Sequence, residues 1–188
     1  CRERRFQRGR AQESLRSRHL RGERLENRWV LDSTVVFNEI MYNPPGPDDS
    51  LEWIELHNQM AVAMDLSDWS LDGGVRFEIP AGTVIGGGGY LLIAKTPSQL
   101  AAATGKQEIL GPFEGRLDNA GEQLQLRNNN GRLMDEVVYS DHGLWPVGPD
   151  GSGMSLAKRD PQSGSATPGN WSTSLQLGGT PGEPHAPI

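Results

Sequence analysis

The 188-residue chain is 35% hydrophobic, carries 24 Gly and 13 Pro, and has a mean hydropathy of -0.55. This polar, turn-rich composition favours one β-rich domain with loose ends over a helical bundle. The net charge of -6 is segregated: residues 1–28 hold 10 Arg and 4 Glu, a net of +6, whereas 8 basic and 20 acidic residues follow from Trp29 onward. An acidic body repels phosphate backbones, so nucleic acid is not an expected partner of the folded part. The basic arm alone can contact anionic surfaces, whether lipid or nucleic acid. Cys1 is the only cysteine, which rules out a disulfide within the chain. A first-position Cys is read either as a lipidated residue or as a fragment boundary. No run of about 18 apolar residues is present, so no transmembrane helix is expected, and no ordinary signal peptide is visible.

In chain order, residues 1–33 form a basic arm without helical periodicity, expected to be disordered. The β-branched run Thr34–Met41 predicts a strand, and Asn43–Asp49 a turn-rich loop. Leu51–Leu56 alternates with period two, which predicts a half-buried strand with one wet face. Further strands are expected at Val75–Ile79, Tyr90–Lys95, Gln123–Arg127, Leu133–Tyr139 and Met154–Lys158. Asn128–Gly131 is a hairpin signal, because Asn-Gly tolerates positive φ. Thr96–Ala103 reads as the one short helix, with Thr96 or Ser98 as cap and Gly105 as stop. From Asp160 on, 5 Pro and 5 Gly in 29 residues predict an irregular coil pinned by Trp171, able to cover a sheet edge. The expected fold is thus all-β, a sandwich spanning 34–159 between a disordered basic N-terminal arm (1–33) and a coil-rich C-terminal tail (160–188).

Ordered fragments carry a resemblance. Asn38–Pro44, Glu52–Asn58, Asp65–Leu71, Ile79–Ile85, Gly89–Leu92, Leu117–Glu122, Asp135–Tyr139, Trp145-Pro146 and Thr180–Gly182 together resemble the lamin-tail domain family, especially its bacterial secreted branch. The resemblance implies an immunoglobulin-like β-sandwich and no enzyme activity, with binding and scaffold roles. In bacteria such domains often accompany secreted nucleases, phosphatases and cell-surface domains. Arg24–Leu31 also resembles a short Leu-Glu-x-Arg segment near the N termini of large secreted bacterial proteins, which points to export.

A search for chemistry finds no Gly-x-Ser-x-Gly elbow and no catalytic zinc spacing among the four His. In Ser140-Asp141-His142 consecutive side chains are expected to diverge rather than build a triad. Gly86–Gly89 lacks the Lys-Ser/Thr of a phosphate loop.

The candidate site is acidic. If the first two strands pair, Glu39 and Glu55 meet on one face, which Phe37 is expected to share with Glu39 and Trp53 with Glu55; Asp135 or Asp141 then joins them. Clustered carboxylates need separation, protonation or a cation, and Ca²⁺ accepts such oxygen ligands. The alternative is a solvated face on which Glu39 or Glu55 bonds amides of the Asn43–Asp49 loop.

Two function classes follow. One is a non-catalytic binding, adhesion or scaffold module of a secreted or cell-surface protein, with a protein or an extracellular polymer as partner and no cofactor. The other is a calcium-stabilised, ligand-binding domain using the acidic face. An accessory domain of a secreted hydrolase is a third reading.

Overall fold

A computed structural model describes residues 34–46 and 49–185; the arm expected to be disordered, residues 1–33, lies outside them. The strands in chain order are β1 Val35–Met41, β2 Trp53–Asn58, β3 Met64–Asp65, β4 Ser70–Gly73, β5 Val75–Glu78, β6 Val84–Ile85, β7 Tyr90–Ala94, β8 Ile109–Leu110, β9 Glu114–Gly115, β10 Gln123–Arg127, β11 Leu133–Val138, β12 Met154–Lys158 and β13 Trp171–Leu177. The helix α1 spans Pro97–Thr104. A kinked helical turn covers Pro149–Ser152, and a 3₁₀ turn covers Pro168–Asn170.

One sheet runs β13-β12-β1-β2-β7-β8 and the other β11-β10-β4-β5-β9, with β3-β6 as a separate ribbon. Val35, Phe37, Ile54, Leu56, Ile93 and Leu156 of the first sheet share one core with Leu71, Leu124, Leu126 and Val137 of the second. This is an immunoglobulin-like β-sandwich, because each strand turns its alternate apolar residues toward the other sheet. Among the described residues no helix is long and apolar enough to cross a membrane.

Three expectations change. β2 has no wet face: all six of its residues are buried. Ile54 and Leu56 face the sandwich core, while Trp53 joins a second cluster with Met41, Leu92, Ala94 and Leu100 of α1. The sheet is therefore covered on its outer side as well. Helix α1 starts with Pro97 at its first turn and ends at Gly105 in the left-handed region (φ 76°), but Thr96 makes no side-chain cap. The tail is not all coil. Trp171–Leu177 contains neither Pro nor Gly and pairs antiparallel with β12, putting Trp171 opposite Lys158. It forms an edge of the sheet rather than covering one.

Candidate functional site

β1 and β2 pair so that Glu39 lies opposite Glu55. The register shifts between Phe37 and Glu39, a β-bulge centred on Asn38. The extra residue reverses the alternation: Phe37 enters the sandwich core, and Glu39 turns to the outer face beside Trp53 and Ser155. Phe37 and Glu39 therefore do not share a face, contrary to the simple period-two expectation, whereas Glu39 and Glu55 do meet.

Neither carboxylate is solvated; both are fully buried. The segment after β13 crosses above them. Thr180 donates its amide to Glu39 Oε1 at 2.9 Å and its hydroxyl to Oε2 at 2.8 Å. Ser155 donates its hydroxyl to Oε1. Asn38 donates Nδ2 to Glu55 Oε1 at 2.8 Å, and the Gly182 amide donates to Oε2 at 2.5 Å. The expected loop-amide role is real, but the amides belong to 180–182 and not to the Asn43–Asp49 loop. Gly179 fits only because it lacks a side chain: a Cβ there would stand 2.5 Å from Glu39 Oε1 and 2.8 Å from Trp53. Burial raises both acids above the usual carboxylate range, and the charge of Glu39 helps push Glu55 up to about 8. Both acids therefore hold a proton more readily than a solvated carboxyl does.

Asp135 sits on the other side of β1. It is buried in β11 opposite Leu126, and its Oδ2 accepts the Phe37 amide at 2.8 Å and the Ser165 hydroxyl. From inside the sandwich it thus pairs the amide at the bulge. Burial raises this acid, and the Lys158 charge opposes that effect. Lys158 is itself buried; its Nζ donates to the Ser163 carbonyl at 2.7 Å and lies 5.7 Å from the Trp171 ring. Desolvation pushes its ammonium down to about 8. Sequence reasoning missed Lys158, although its alternation with Leu156 places both on one strand face.

Asp141 lies apart, in the loop after β11. Its Oδ1 is 2.6 Å from His142 Nδ1, the contact that holds its carboxyl below the usual range. Ser140 Oγ also approaches His142 Nδ1, at 2.7 Å. These three side chains converge, contrary to expectation. Both contacts nevertheless use one ring nitrogen, so the imidazole cannot relay a proton from Ser140 to Asp141.

Of the four acids expected to share a cation, the fold brings together Glu39 and Glu55 only. Asp135 is separated from them by the strand itself. Among the described residues no three His, Cys, Asp or Glu side chains gather as a metal-holding group. Residues 179–182 cover the face on which Glu39 and Glu55 meet. A family model described as Lamin Tail Domain matches residues 32–141. No curated protein matches the chain.

Proposed function

The chain belongs to the lamin-tail domain family, whose model covers more than half of it, and from that premise we propose that it is a non-catalytic protein-binding module of a secreted or cell-surface protein. The observation that carries this reading is a sheet edge that no other strand of the described residues pairs with, flanked by apolar side chains. β13 is the outermost strand of its sheet. Its Leu175 and Leu177 are 62% and 75% exposed, and Leu144 in the loop after β11 is 87% exposed. Leu144, Trp145, Pro146 and Leu175 line one groove. An unpaired edge offers backbone donors and acceptors to an added strand, and exposed apolar residues beside it offer side-chain pockets. An extended polypeptide fits both. Location outside the cell is supported by the resemblance of Arg24–Leu31 to export-associated segments.

The test is binding of the full 188-residue chain to the surface of the producing cells, wild type against a Leu144→Asp/Leu175→Asp variant. Saturable binding that disappears after protease treatment of the cells, and in the variant, is the expected result. Retention by the variant overturns the edge as the site. Binding that survives protease but not polysaccharide digestion overturns protein as the partner.

A further inference from the structure

At the end of the sandwich where β1 leaves and β2 enters lies a cavity of about 420 Å³, far from sealed and lined by Tyr42, Asp49, Glu52, Arg116 and Asp118 among others. One buried polar atom on its wall, the Tyr42 hydroxyl, has no partner among the described residues, and Glu52 beside it has one carboxylate oxygen free of the protein's own donors. Glu52 is 2% exposed and accepts the Leu117 amide at 3.0 Å on Oε2; among the described residues nothing donates to Oε1. Tyr42 is 1% exposed and stacks on Tyr139 at 4.9 Å, and among the described residues its hydroxyl has no partner. Buried polar groups are ordinarily paired, so the Tyr42 hydroxyl marks a place where a bonding group from outside is accommodated, with the second oxygen of Glu52 beside it as an acceptor.

The surrounding charge selects the sign of that group. Asp49, Asp118 and Glu122 stand around Glu52, against Arg116 on the wall and Lys95, which lies 3.8 Å from Asp49. Tyr42 further faces the charges of Asp141 and Asp150. The balance is negative. A bare divalent cation would need several oxygen ligands within its first shell, and among the described residues no three acids come close enough together to supply them. A guanidinium has five donors in a plane, carries a charge that burial does not remove, and can bond a carboxylate oxygen and a phenol oxygen at once.

We propose that this cavity receives an arginine side chain of a partner protein, with the guanidinium on Glu52 Oε1 and the Tyr42 hydroxyl. It is a second contact point, separate from the β13 groove. Burial, with Asp49 and Glu122 acting in the same direction and Lys95 against, holds Glu52 near 7. Arginine is then captured by the ionised acid, and binding strengthens between pH 6 and 8.

The probe is the peptide acetyl-Gly-Gly-Arg-Gly-Gly-amide, titrated into the full chain by NMR alongside its lysine and citrulline counterparts and calcium chloride. The arginine peptide is expected to shift the signals of Tyr42 and Leu117, with citrulline at least about tenfold weaker, since it keeps the shape and loses the charge. Glu52→Gln is expected to weaken binding about tenfold and Tyr42→Phe about threefold. Tyr42→Phe removes a buried unpaired hydroxyl and so should not lower the melting temperature, which separates lost recognition from lost folding. The Leu144→Asp/Leu175→Asp variant should bind the peptide as wild type does, so failure at either site is distinguishable. Equal binding of arginine and citrulline overturns the proposal, as does undiminished binding by Glu52→Gln. Calcium binding that displaces the peptide, or no peptide binding at millimolar concentration, also overturns it.

Discussion

Glu39 and Glu55 face each other with no exposed surface, and their hydrogen-bond donors are amides and hydroxyls rather than cations. Such a pair is comfortable only while protonated in part. A carboxyl raised in the folded state contributes stability that is complete below its unfolded value and is lost as pH rises through its folded value. For Glu55 that window runs from the ordinary 4.5 to about 8, and for Glu52 from 4.5 to about 7. Lys158, lowered to about 8 from 10.5, changes protonation balance only above that window. The exposed acids Asp65 and Glu183, held low by hydrogen bonds, and the half-buried Asp141 act below it. His57, lowered from 6.5 by burial, acts in the opposite direction below 6.5, so the melting temperature should fall between pH 6.5 and pH 8, by about 2–4 °C for each kcal/mol lost. Scanning calorimetry across that range checks this, and Glu55→Gln should flatten the slope. A melting temperature that rises toward pH 8 would show that the pair is ionised and stabilising.

The element that organises the site is the bulge in β1. One extra residue turns Phe37 inward and Glu39 outward, and Asp135 of the opposite sheet meets the Phe37 amide there. Asp135→Ala leaves the Phe37 amide and the Ser165 hydroxyl without their acceptor and takes a negative charge from the neighbourhood of the buried Lys158, at a cost of about 1–3 kcal/mol. Asp135→Asn keeps an oxygen acceptor and should cost less. Urea unfolding of the two variants orders them, and equal losses would show that the bond to Phe37 contributes nothing. The strands β1 and β2 are legible in the sequence, because β-branched and apolar runs are local signals, and the meeting of Glu39 with Glu55 follows once the two are taken to pair. The helix and its end at Gly105 are legible; its start is not, because Thr96 makes no side-chain cap. The bulge is not, since it is defined by which residues of the partner strand are skipped. Apart from Asn38, the donors to the acid pair are 116, 127 and 141 residues from their acceptors, and nothing local announces them. β13 is hidden by composition: Pro168, Gly169, Gly178 and Gly179 flank a Ser/Thr-rich run, so a window average reads as coil.

At the scale of the molecule, the family match and the folded unit do not share an end. The match stops at residue 141, yet β12 lies between β13 and β1 in the same sheet. Beyond 141 the chain supplies Leu156 and Trp171 to the core, Ser165 to Asp135, and the segment that seals Glu39, Glu55 and Trp53. A chain ending at residue 141 would expose β1 as a bare edge and leave two carboxylates on its outer face without their amide donors. The absence of Trp171 alone corresponds to a loss of about 3–5 kcal/mol, comparable to the whole margin of many domains. Such a chain should therefore show no cooperative thermal transition, whereas one ending at residue 185 should melt like the full protein. Circular dichroism melts of the two chains decide the matter. A sharp transition in the shorter one would mean that β12, β13 and the sealing segment are additions to a core that is already complete without them.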